Sequence, residues 1–216
     1  MTGVLALPER ITVVEVGPRD GLQSFDRWIP TDDKVALVDC LSDAGFPVVE
    51  AASFASPRVV PHLRDAAEVL ERITRRTGTR YRALVPNRKG LERALACEVD
   101  EVLALCTVSV EYTRRNQGMT VQESTAQAAD VYRSALGQGR HAVVAVGMAL
   151  FCPYEGRIPT ERTLAVVDAL YRGEVRRIYI AGSLGMEDPG QVSAMIAQLK
   201  DRWPDLEVGF HAHDMA

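Results

Sequence analysis

The sequence predicts an α/β fold, a (β/α)8 TIM barrel read as truncated after its seventh strand. Three observations lead there. Short β-branched runs recur along all 216 residues, and stretches with helical start and stop signals separate them. Strands apolar on both faces that alternate with amphipathic helices require a parallel sheet covered on its outside. A complete barrel takes about 250 residues, roughly one βα unit more than is present. One domain over residues 1–216, lacking its last strand and C-terminal part, is therefore expected. An open doubly wound sheet is the alternative, but the first βα turn has no GxGxxG phosphate loop.

Strands are expected at Ile11–Val16, Val48–Ala52, Tyr81–Val85, Glu101–Leu105, Ala142–Leu150, Arg177–Ala181 and Glu207–His211. The first helix starts at Thr31 after Pro30, with Asp32 and Asp33 in its first turn and Gly45 past its end. Helices over Leu63–Arg75 and Lys89–Cys97 follow the second and third strands. Thr120-Val121-Gln122-Glu123 is a capping box that opens the next. Thr160–Tyr171 is helical, and Asp188-Pro189 sets an N-cap before a proline at the first helical position.

Composition narrows the function. A 47% hydrophobic content and a mean hydropathy of -0.05 suit a globular protein with a full core. A net charge of -4 and a pI near 5.6 argue against nucleic-acid or anionic-membrane partners. The longest apolar run, Ala142 to Cys152, falls short of the ~20 residues of a membrane helix. Residues 1–10 lack a basic segment followed by a long apolar one, so no secretory signal is read. Cys40, Cys97, Cys106 and Cys152 lie apart with no CxxC, which fits reduced thiols and a cytoplasmic protein.

Active sites of such barrels lie at the C-terminal strand ends, and polar groups stand at all seven. They are Gly17-Pro18-Arg19-Asp20-Gly21-Leu22-Gln23, Glu50 with Ser53, Asn87, Ser109 with Asn116, Cys152-Pro153-Tyr154-Glu155-Gly156, Gly182-Ser183 and His211-Ala212-His213-Asp214. Side chains at i and i+2 share one face of a strand, so His211 and His213 can grip one ion together. Glu50 is a carboxylate within an apolar run, where it would be costly without a partner. Arg72, Arg75, Arg76 and Arg80 read as a solvated basic face.

These segments resemble 3-hydroxy-3-methylglutaryl-CoA lyase, one of the metal-dependent lyase and synthase barrels that open with Arg-Asp-Gly. The resemblance covers nearly the whole chain. Gly17-Pro18-Arg19-Asp20-Gly21-Leu22-Gln23 together with Cys152-Pro153-Tyr154-Glu155-Gly156 points to the lyase branch. It implies Asp20, His211 and His213 as ligands of Mg2+ or Mn2+, with Arg19, Glu50 and His211 catalytic. Arg19 would stabilise an enolate, with Glu50 as its partner, and His211 would be the base. Gln23, Asn87, Ser109 and Asn116 would bind substrate together with Arg19. The implied partner is an acyl-CoA thioester, and the full-length form is expected to be a homo-oligomer.

The chain departs from that pattern in places. Ala181-Gly182-Ser183 stands where the family shows Gly-Asp-Thr, so one substrate-facing carboxylate is expected to be absent. The family's Glu beside Ser109 is displaced to Glu111. A mobile loop with a reactive cysteine and an asparagine ligand have no counterpart. The rival readings are a synthase of the isopropylmalate or citramalate kind and an inactive fragment.

Overall fold

The computed structural model describes residues 8–213; Asp214 of the histidine motif lies outside them. The elements run β1 (Val14–Glu15), a five-residue π-turn (Gly17–Gly21), α1 (Thr31–Asp43), β2 (Val48–Ser53), a 3-10 turn (Pro61–Leu63) and α2 (Ala66–Arg72). Then follow β3 (Arg80–Leu84), α3 (Arg88–Leu95), β4 (Glu101–Thr107), α4 (Val110–Gln117), α5 (Val121–Gly137) and β5 (His141–Gly147). The order ends β6 (Phe151–Cys152), β7 (Gly156–Arg157), α6 (Thr160–Arg172), β8 (Arg177–Gly182), α7 (Pro189–Arg202) and β9 (Glu207–Ala212). Seven parallel strands make one sheet in the order β1-β2-β3-β4-β5-β8-β9, the neighbour order of a TIM-type sheet. β6 and β7 form a separate antiparallel hairpin at the Cys-Pro-Tyr-Glu-Gly turn.

Local chemistry explains most boundaries. Both expected caps form reciprocal boxes, Thr120 with Glu123 and Asp188 with Gln191. The first strand is shorter than expected because only Val14 and Glu15 meet partners in β2, and Ile11 and Val13 are exposed. The fifth strand ends at Gly147 rather than Leu150, since Phe151 and Cys152 turn away to pair with β7. The expected helix Leu63–Arg75 is split. A 3-10 turn precedes α2, and the Thr74 N–H donates to Asp39 instead of continuing the helix.

The strands divide side chains between two environments. Outward residues such as Ala83, Val102, Val144 and Ile178 join the helices in the main core. Cys106 lies there, with burial pushing its thiol up to about 12, whereas Cys40 is exposed on α1. Inward, Leu84, Leu103, Val143 and Ala145 form a smaller apolar layer, against which Leu105 and Tyr179 pack.

Beside that layer a chain of alternating charges links the strands. Arg82 bonds the Glu101 carboxylate, Arg177 reaches it at 3.1 Å, and Arg177 meets Glu207 at 2.7 Å. Arg82 also stands 3.5 Å from Glu50, which pairs with Arg19, so the chain of charges runs up to the strand ends. The basic residues Arg72, Arg75, Arg76 and Arg80 all pair with carboxylates, on Asp32 and Glu68, Asp100, Asp43 and Glu101.

Glu101 carries a stability prediction. Burial raises its affinity for a proton, but Arg82, Arg177 and Arg80 outweigh that and hold the carboxyl below its ordinary range. With the folded value depressed, its contribution is present above the ordinary glutamate range and fades as pH falls through the folded value. Glu101→Gln leaves Arg82 buried with too little compensating charge and should cost roughly 3–5 kcal/mol. Urea unfolding at neutral and acid pH checks both statements. The difference between wild type and variant should shrink as acid protonates Glu101.

Candidate active site

The π-turn Gly17–Gly21 places Arg19 and Asp20. At its start the Arg19 and Asp20 N–H groups both donate to the Val16 carbonyl, at 3.1 and 2.7 Å, and the Leu22 N–H closes the wide turn on the Gly17 carbonyl. Arg19 is buried, with its Nε on Glu50 Oε1 and its Nη1 2.5 Å from Asp20 Oδ1. Glu50 is fully buried on β2, so the expected partnership with Arg19 is present. Among the charges facing Arg19, burial opposes its cation, yet Glu50, Tyr179 and Asp20 together raise its pKa above the ordinary value.

The histidines arrive on the last described strand. His211 Nε2 is 3.2 Å and His213 Nε2 3.4 Å from Asp20 Oδ2, and the two Nε2 atoms are 3.1 Å apart. All three donor atoms lie within 4.8 Å of one another. Two imidazole nitrogens and a carboxylate oxygen aimed at one point fit a divalent cation with positions left for water or substrate oxygens. Burial raises the Asp20 pKa, but the hydrogen bond from His211 and the charges of Arg19, His211 and His213 prevail and lower it to about 2.

The remaining expected residues divide. Gln23 is half-buried just after the π-turn, and its Oε1 is buried without a protein partner among the described residues. Asn87 caps α3, its Oδ1 accepting from the Gly90 N–H at 2.9 Å. Ser109 caps α4 through the Tyr112 N–H at 3.0 Å and bonds Glu155, with Cys152 Sγ 2.9 Å away. The side chains of Asn87 and Ser109 are thus engaged in local structure. Asn116 departs from expectation. It is exposed on α4, and its amide donates to the Tyr112 carbonyl one turn back. The i,i+4 spacing of Tyr112 and Asn116 was the available signal, obscured because no helix was expected there.

Two features escaped the sequence. Tyr179 stacks on His211, with ring centroids 5.7 Å apart and planes at 21°. Burial first, then Glu50, raise its phenol pKa above the ordinary value. The second is Glu187. Its carboxylate lies over Gly182, where a Cβ would meet Oε2 at 2.7 Å, and its Oε1 is buried without a protein partner among the described residues. A carboxylate therefore does stand at the end of β8, although the strand itself carries none.

A TIM-barrel-like sheet whose strand ends gather two histidines, a carboxylate and a buried arginine defines a class, that of barrels with a candidate ion site at the catalytic face. Within it, the chain belongs to the HMGL-like family, whose profile matches residues 10–216. The mouse mitochondrial hydroxymethylglutaryl-CoA lyase is 37% identical over 96% of this chain and 64% of its own length. The solved structure of the Bacillus subtilis HMG-CoA lyase is similar with a TM-score of 0.92 at 33% identity, over 96% of this chain and 70% of that one. An HMG-CoA lyase from Acinetobacter baumannii in complex with coenzyme A and 3-methylmalate gives a TM-score of 0.86 at 33% identity. That match covers 93% of this chain and 65% of the other. The chain thus spans somewhat under two thirds of the mouse relative.

Proposed function

We propose that this site is the centre of a divalent-metal-dependent carbon–carbon lyase acting on a 3-hydroxyacyl-CoA, such as 3-hydroxy-3-methylglutaryl-CoA, to give acetyl-CoA and a keto product. The convergence of Asp20, His211 and His213 beside the Arg19–Glu50 pair carries the reading. Asp20 Oδ2 and the two Nε2 atoms would hold Mg2+ or Mn2+, which when bound supplies Lewis-acid polarisation of substrate oxygens. Arg19, pinned on both sides, offers guanidinium N–H groups to the thioester oxygen that gains charge as the C2–C3 bond breaks. Glu50 acts through Arg19, holding its fork in place. Just after the same turn, Gln23 brings a buried amide oxygen with no protein partner among the described residues.

His211 carries two expected roles that compete for one lone pair. Its Nε2 belongs to the three-donor set, so accepting the C3 hydroxyl proton falls to Nδ1, on the other side of the ring, and one proton returned to C2 completes the enolate to acetyl-CoA. The relative bound to coenzyme A supports an acyl-CoA partner, and a homo-oligomer is part of the proposal. The purified protein with Mg2+ or Mn2+ should release acetyl-CoA from 3-hydroxy-3-methylglutaryl-CoA, and a chelator should stop it. Condensation of acetyl-CoA with a 2-oxo acid, without cleavage, would instead place it with the isopropylmalate-type synthases.

A further inference from the structure

We propose that Tyr179 is the aromatic floor of this site, a positioning residue that holds the plane of His211 and limits the length of the acyl group accepted. The proposal rests on the lyase reading and deepens it. Tyr179 projects inward from β8, against the apolar layer of Leu84, Leu103, Val143 and Ala145. Its register partner is Gly209, while Ala181, two residues further on, pairs with His211. At about 3.3 Å per residue, the tyrosine backbone lies roughly 7 Å below the level of the histidine.

The neighbouring strand makes room for this ring. A Cβ on Gly209 would stand 3.3 Å from Tyr179 Cβ, tighter than side chains normally pack. With no side chain at 209, the phenol ring lies against His211 nearly face to face. His213 meets the other ring of the pair, with centroids 4.8 Å apart. His211 thus contacts two aromatic rings, and its Nε2 lies 3.2 Å from Asp20 Oδ2. Residues that orient a ligand in this way typically alter metal affinity by about 10- to 100-fold when removed.

The same ring stands on the inner face of β8 below the strand ends, against the apolar layer. Above it on β8 stands only the small side chain of Ala181. An acyl chain entering from the strand ends would therefore reach the phenol as the first large side chain on the inner face of β8. In such a pocket one methylene more or less is worth about 10- to 200-fold in discrimination. The structure therefore assigns a short acyl end to the substrate.

The test uses Tyr179→Phe, Tyr179→Leu and Tyr179→Ala, with two readouts that need no turnover. Calorimetric titration with Mn2+ reads the hold on His211. Competition by non-cleavable thioether analogues of 3-hydroxyacyl-CoA, with progressively longer acyl chains, reads the floor. Tyr179→Phe should match wild type in both, because the ring is kept. Tyr179→Leu keeps apolar bulk against Leu103 and should nonetheless bind Mn2+ about tenfold more weakly, which separates ring orientation from general unfolding. Tyr179→Ala should in addition shift preference to a longer analogue by tenfold or more. Unchanged Mn2+ affinity in the Leu and Ala variants, with an unchanged ranking of analogues, would overturn the proposal. A wild type that binds Mn2+ but none of the analogues would defeat the lyase reading and the acyl-length half. The Mn2+ series would then still decide the hold on His211.

Discussion

Replacing Arg19 by lysine should lower kcat by about 10²–10³ while leaving KM nearly unchanged. The geometry explains why charge alone is insufficient. Arg19 spends Nε on Glu50 and Nη1 on Asp20, two acceptors on opposite sides of one planar group. A lysine ammonium is a single point with no fixed fork, so it can satisfy one carboxylate or follow the substrate, but not serve both and stay aimed. On the proposed lyase reading the lost interaction is strongest when the thioester oxygen has become enolate-like, which places the penalty in turnover rather than in binding. Steady-state kinetics, on protein whose thermal unfolding matches wild type, makes the comparison. A variant with normal kcat and a raised KM would make Arg19 a substrate anchor and remove it from the bond-breaking step.

The parts of this site legible in the sequence are those that local spacing encodes. His211 and His213 share a strand face by their two-residue separation, and the structure brings their Nε2 atoms within 3.1 Å. Glu50 betrayed itself as a carboxylate inside an apolar run, and its partner proved to be Arg19. The two capping boxes are likewise written in four consecutive residues. What stayed hidden depends on register between strands. Arg82, Glu101, Arg177 and Glu207 meet only because β3, β4, β8 and β9 align as they do. Tyr179 reads as one more aromatic residue in a strand until Gly209 is seen opposite it. Asn87 and Ser109 were expected to face substrate, yet both sit at helix starts where a side-chain oxygen caps a free N–H. The gain of a carboxylate at β8 from Glu187 depends on a loop folding back over Gly182, which no periodicity announces.

Asp20→Ala and His213→Ala should each weaken Mn2+ binding by one to two orders of magnitude or more, with Asp20→Ala the worse. His213 is one neutral donor, and its loss leaves Asp20 and His211 in place. Asp20 supplies the only negative charge in the three-donor set, and its Oδ1 also neutralises Arg19. Without it, a buried guanidinium with an unpaired Nη1 stands beside the incoming cation and repels it. Asp20→Asn separates the two contributions, since it preserves shape and removes only charge. It should fall near the alanine variant if charge dominates. The pH dependence follows from the same arrangement. His211 and Arg19, against the opposing effect of burial, hold Asp20 down at about 2, so it remains a carboxylate well into acid. Affinity should therefore show no loss from protonation of Asp20 until the pH approaches that value. Calorimetric titrations across pH measure all of this. Wild-type affinity in both Asp20→Ala and His213→Ala would show that these three side chains do not hold the ion.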